Sequence, residues 1–99
     1  MSLDELTTAL RDKAAAHPPL GYAVKFNLGD DGVIHLDGTG AQPAVTNDDK
    51  AADCTIAISL ADCAAMTSGD LDATTAFMMG KLKIDGSMGV ALKLQGILG

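Results

Sequence analysis

The chain predicts an α+β fold: about five strands in one twisted sheet, with helices packed on one face. Three observations carry that prediction. At 99 residues there is room for one domain, spanning 1–99. Segments with a helical apolar period alternate with segments of period two. The order runs one helix, three or four strands, two short helices, a strand and a helix, which suits a single antiparallel-rich sheet covered by helices.

The first helix opens at Ser2-Leu3-Asp4-Glu5, a capping box with Glu5 answering Ser2. Leu3, Leu6, Leu10 and Ala14 form its apolar stripe. Arg11 and Lys13 sit near its C-terminal end, where the dipole favours cations, and His17-Pro18-Pro19 ends it. Tyr22, Val24, Phe26 and Leu28 then alternate with Ala23, Lys25 and Asn27. Gly29-Asp30-Asp31-Gly32 is a turn, and Val33 to Asp37 alternates again, completing a β-hairpin. His35 and Asp37 share its polar face and are expected to be an exposed pair, since no nucleophile stands beside them.

Gly38 to Asn47 is a connection with a short edge strand at Ala44-Val45-Thr46. Its Gly38-Thr39-Gly40 lacks the third glycine of a dinucleotide loop, and no helix follows directly. Asp48-Asp49-Lys50 is a polar turn, and Asp53 to Ser59 reads as a buried strand. Ser59 and Asp62 open the next helix, which stops at Ser68-Gly69; Asp72 caps a shorter one ending at Gly80. Leu82 and Ile84 alternate with Lys81, Lys83 and Asp85 as a half-buried strand. Gly86 is placed in a turn, and Ser87 caps a final helix from Met88 to Leu98. That helix carries one charge, Lys93, and is apolar around most of its circumference. It must bury nearly all round or line something apolar. Gly89 and Gly96 punctuate it, so it is expected to open locally more readily than the sheet and admit a ligand.

Composition narrows the function. The chain is 47% hydrophobic but only 3% aromatic, so Leu, Ile, Val, Ala and Met must fill the core. The net charge is −6, with Glu5 the sole glutamate, which disfavours nucleic acid or a strongly anionic membrane as the main partner. The charge is uneven: Lys81, Lys83 and Lys93 face only Asp85 in the last quarter. The chain opens with acid where a basic leader belongs, and no segment approaches the roughly 20 apolar residues of a membrane helix. A cytoplasmic protein is expected.

Catalytic and metal patterns are missing. Cys54 and Cys63 match neither CxxC nor a zinc spacing and read as two small, semi-buried thiols with no disulfide. Gly86-Ser87-Met88-Gly89 is not a nucleophile elbow, and Gly80-Lys81 is followed by Leu82 where a phosphate loop needs Ser or Thr. No cofactor and no enzyme activity are expected. What remains is methionine: four of the five, Met66, Met78, Met79 and Met88, lie within 23 positions. Methionine suits core gaps and surfaces that accept varied apolar partners. Together with the final helix it points to a cavity filled by an apolar ligand.

The stretch from Phe77 to Leu94 reads F-M-x-G-K-L-K-I-x-G-x-M-x-x-A-x-K-L. This pattern resembles the C-terminal signature of sterol-carrier-protein-type-2 domains. The Ser59-Leu60 helix start, the Ser68-Gly69 break and the Leu71-Asp72 helix start also fall where that family has them. The resemblance is domain-long, strong from about Ala52 onward and weaker before it. It implies a small α+β domain enclosing a hydrophobic tunnel for lipids, without catalysis. Eukaryotic members often end in a peroxisomal signal; the end here, Ile97-Leu98-Gly99, points to a bacterial stand-alone member.

The expected function is therefore non-covalent binding, with transfer, of a fatty acid, fatty acyl-CoA or sterol-like molecule. Burial is worth about 0.8 kcal/mol per methylene, on the order of 10 kcal/mol for a C16 chain before ordering costs. The candidate lining is Phe26, Ile58, Met66, Phe77, Met79, Leu82, Ile84, Met88, Leu92 and Leu94. Phe77, Leu82, Ile84, Met88 and Leu94 lie on the family pattern; the rest come from alternation and helical spacing. Lys81 and Lys83 either attract an acidic head group or form the solvated face of their strand. Membrane contact is expected to be transient at most, and the oligomeric state a monomer or weak dimer. Two other readings stay open: an accessory module of a lipid or quinone biosynthesis complex, and a structural domain docking its apolar helix on a partner.

Overall fold

A computed structural model describes residues 2–16, 21–40, 42–86, 88–90 and 93. Helix α1 spans Leu3–Ala15. Ser2 accepts from the Glu5 amide and Glu5 reaches back to the Ser2 amide, so both halves of the capping box form. Strand β1 (Ala23–Asn27) and strand β2 (Val33–Asp37) are joined through a 3-10 turn at Gly29–Asp31. Strand β3 (Ala44–Thr46), strand β4 (Cys54–Ile58), helix α2 (Leu60–Ser68), helix α3 (Ala73–Met78) and strand β5 (Leu82–Gly86) follow. Ser59 caps α2 through the Asp62 amide, and Asp72 caps α3 through the Thr75 amide. Met88, Gly89, Val90 and Lys93 are helical. Ser87, the predicted cap of the final helix, and that helix's outer part lie outside the described residues, as does the expected helix stop at His17-Pro18-Pro19.

The five strands form one sheet in the order β3-β2-β1-β4-β5. Three of the pairings are antiparallel, but β1 and β4 run parallel, so the sheet is mixed. Parallel neighbours need a crossover connection. Here the chain from Asn47 to Asp53 makes it, across the face of the sheet that carries Lys25 and His35. Lys25 Nζ meets Asp49 Oδ1 at 2.9 Å, and His35 Nε2 lies 3.0 Å from the Ala51 carbonyl oxygen. A carbonyl only accepts, so Nε2 is the protonated nitrogen.

This strap corrects the expected exposed His35–Asp37 pair. His35 is only 4% exposed because the strap lies over it. Asp37 instead accepts from the Thr39 amide and hydroxyl at 3.0 and 2.6 Å. Those two bonds hold its carboxyl below the usual range. Arg11 departs from a simple helix-dipole role as well: its guanidinium donates to the Val45 carbonyl at 2.8 Å and ties α1 to the edge strand.

Two glycines shape the end of the chain. Gly80 has φ +72, and the Lys81 amide bonds back to the Ala76 carbonyl, which stops α3 by a left-handed turn. Gly86, expected in a turn, is the last residue of β5 opposite Cys54, with φ +105. A Cβ there would stand 2.6 Å from the Asp53 carbonyl oxygen. Only glycine lets β5 close against β4 at that point.

Candidate functional site

The strand register puts one apolar face together. Leu36 and Ile34 on β2 oppose Val24 and Phe26 on β1, which align with Cys54 and Ile56 on β4. Ile56 and Ile58 oppose Ile84 and Leu82 on β5, and Val45 extends the face to the edge. Side chains alternate across a strand, so all of these point to one side, the side taken by the helices. Helix α1 covers it with Leu6, Leu10 and Ala14, and α2 brings Cys63 and Met66; all five are buried.

The cover is uneven. The stripe of α1 is sealed from its second turn onward. By contrast Leu60, Ala64, Leu71, Ile84 and Val90 are only partly buried. They belong to α2, to the link into α3, to β5 and to the start of the final helical segment. Apart from Leu3, the half-covered apolar residues packed on the core, among the described residues, lie on this side.

Among the predicted lining residues, Phe26, Ile58, Met66 and Leu82 come together in the core, with Ile84 half-buried at its margin. Phe77, Met79 and Met88 are placed differently, at 47%, 61% and 49% exposure. Leu92 and Leu94 lie outside the described residues. The sequence reading left out Val24, Ile34, Leu36 and Ile56, which share the inner face. The period-two alternation that selected Phe26 selects them equally, but neighbours on other strands are not readable from one segment.

Both thiols lie in this core, more deeply than the sequence suggested. Burial pushes the Cys63 thiol up to about 12, while the Thr67 hydroxyl pulls weakly the other way. Burial, then the Asp85 carboxylate, raises Cys54. Burial also raises Tyr22, over whose ring the Lys93 ammonium sits 5.9 Å from the centroid. Such a contact holds the final segment to the start of β1. Among the described residues no group of three or more His, Cys, Asp or Glu could hold a metal, and no helix is long and apolar enough to cross a membrane.

A sheet whose inner face is apolar, roofed by helices and met by Val90 of the final helical segment, defines a small apolar-core α+β domain. The chain belongs to the SCP-2 sterol transfer family, whose family model matches residues 3–99. It is 47% identical over 58 residues to sterol carrier protein 2 of Bos taurus, covering 59% of this chain and 11% of that protein. This chain thus spans a small part of the length of such relatives. Among solved structures it resembles sterol carrier protein 2 like 2 of Aedes aegypti, with TM-score 0.76, 20% identity and coverage of 97% and 95% of the two chains. Aedes aegypti sterol carrier protein 2 in complex with palmitate matches with TM-score 0.75, 21% identity and coverage of 100% and 97%. The ubiquinone synthesis protein UbiJ-SCP2 matches with TM-score 0.73, 17% identity and coverage of 96% and 90%. At these identities the three structures establish the shared fold.

Proposed function

We propose that this chain is a non-catalytic carrier that binds one long-chain acyl lipid, a fatty acid or its thioester, between the sheet and the α2–β5 side of its helices. The observation that carries the reading is the asymmetric cover of the inner face. Leu60, Ala64, Leu71, Ile84 and Val90 form a half-open apolar margin beside a fully buried wall of Phe26, Ile58, Met66 and Leu82. An acyl chain entering there leaves water for that wall, and burial of its methylenes is the driving force. On this reading Phe77, Met79 and Met88, all exposed, form the rim of the site. The palmitate complex of the Aedes aegypti relative supports an acyl ligand.

Calorimetry or displacement of a fluorescent fatty acid tests the reading and is expected to give saturable binding near one ligand per chain. Failure to bind any fatty acid, acyl-CoA or sterol refutes it. The likeness to UbiJ-SCP2 favours a second reading, an accessory module of a lipid or quinone biosynthesis complex. Native mass spectrometry of freshly purified protein separates the two. A co-purified lipid on a monomer or weak dimer supports the carrier, whereas an empty chain held by a protein partner supports the module.

A further inference from the structure

We propose that β5 is a self-association edge, along which a second copy of this chain adds its own β5 antiparallel about a two-fold axis at Ile84. The sheet has two edges, and they are finished differently. At one, β3 is only three residues long, and the Arg11 guanidinium takes the Val45 carbonyl at 2.8 Å. A short edge with a backbone acceptor already engaged resists strand addition. At the other, β5 runs five residues, Leu82–Gly86, and among the described residues β4 is its only strand neighbour. Its inner face carries Leu82, which is buried, and Ile84, which is only half-buried. Its outer face carries Lys83 and Asp85, both exposed. On β4 they stand opposite Ala57 and Thr55, and among the described residues neither makes an ion pair or hydrogen bond through its side chain.

The charges specify the occupant. Residues directly opposite in an antiparallel pair lie on the same face of the sheet, where opposite charges attract and like charges repel. With the axis at Ile84, Lys83 of each copy faces Asp85 of the other, Ile84 faces Ile84, and Leu82 faces Gly86. Moving the axis one residue either way sets Lys83 against Lys83 or Asp85 against Asp85. The strand is therefore complementary to itself in one register, and a two-fold contact requires such a self-complementary patch. A foreign strand without an acid at that place meets an unanswered lysine, a device by which sheet edges refuse partners. The pairing keeps both inner faces on the same side, so the second copy's Ile84 comes against the half-buried Ile84 and closes the margin of the site there. On the carrier reading this makes the second copy part of the rim; the pairing itself requires no ligand. Five residues a side is a small contact, so the dimer is weak and forms only as concentration rises.

Sedimentation equilibrium of the ligand-free protein over a range of concentrations tests the edge. A monomer–dimer equilibrium is expected, weakening as salt is raised. Lys83→Glu and Asp85→Lys each set like charges against each other twice per dimer, and each alone should weaken self-association by on the order of tenfold. An equimolar mixture of the two variants should pair again, because in the mixed dimer every acid faces a lysine. Loss of folding in a variant cannot produce that recovery. Both side chains are exposed, so the unfolding midpoints should stay unchanged. Fatty-acid binding by dilute, monomeric Asp85→Lys protein should also be unchanged, which keeps a failed pairing distinct from a failed carrier. A monomer at every concentration overturns the proposal. So does a dimer indifferent to both variants, or a mixture that recovers nothing.

Discussion

Replacing Gly86 by Ala should be among the most damaging one-methyl changes available to this chain. Two separate costs arise. The backbone stands at φ +105, a region that costs an L-residue about 1–2 kcal/mol. The new Cβ would also meet the Asp53 carbonyl oxygen at 2.6 Å and the Cys54 Cα at 3.3 Å. Those atoms cannot easily yield. The Asp53 amide donates to the Ala23 carbonyl at 2.9 Å, and the Asp53 carboxylate accepts from the Ala23 amide at 2.8 Å, so this peptide is pinned to β1 on both sides. Overpacking against such a wall costs about 1–3 kcal/mol.

Together these predict a loss of about 2–5 kcal/mol, a large part of the roughly 5–15 kcal/mol that holds a domain folded. For a domain of this size the midpoint should fall by about 4–8 °C per kcal/mol. Gly80 is the internal control. Its φ is +72, yet a Cβ there meets nothing within 4 Å. Gly80→Ala should therefore lose only the backbone cost, about 1–2 kcal/mol. Urea and thermal unfolding followed by circular dichroism measure both. Equal losses for the two variants would refute the close approach of β5 to Asp53.

Two further predictions concern the core and its clamp. The Cys63 thiol is raised from 9.0 to about 12 in the folded state, so its contribution is fully present below pH 9 and is lost as pH rises toward 12. Stability should fall by about 1.4 kcal/mol per pH unit in that window, and Cys63→Ala should flatten this part of the alkaline slope in urea titrations at stepped pH. Arg11→Met should keep the helix but remove the bond to the Val45 carbonyl, costing about 1–3 kcal/mol in chemical unfolding; a change under a few tenths would mean that the bond contributes nothing.

Much of the fold is legible locally. Ser2, Ser59 and Asp72 are caps by residue type and spacing, and each accepts the amide expected of it. The hairpin is readable because its two strands and turn are adjacent in sequence. The parallel pairing of β1 with β4 is not, because it joins segments about 30 residues apart and no local period names a distant neighbour. The burial of His35 fails for the same reason: the strap that covers it reaches His35 from Ala51, 16 residues further along the chain. At the site, period two correctly places Phe26, Ile58 and Leu82 on a common buried face. Phe77 and Met79 are exposed instead, at the last turn of a short helix, where apolar identity does not fix whether a side chain turns toward the sheet or away from it.

The two helices over the inner face are built for different tasks, and the difference bears on why a lipid would bind on one side. Helix α1 presents Leu6 and Leu10, large side chains that fill the space above β2 and β3, and Arg11 and Asn47 fasten it there through Val45 and Thr7. Helix α2 runs Leu60-Ala61-Asp62-Cys63-Ala64-Ala65-Met66, mostly small residues with one flexible thioether facing the core. A helix of small residues brings little volume to the sheet it covers, and close packing then requires something else to occupy the space. On α1's side the chain supplies that volume itself. On α2's side it supplies Met66 and a margin of half-buried Leu60, Leu71, Ile84 and Val90. An acyl chain has the shape, apolarity and adaptability to complete such a layer, and a methionine wall can repack around lipids of different length. On the proposed carrier reading, the sealed half gives the domain its stability and the α2 side takes the ligand.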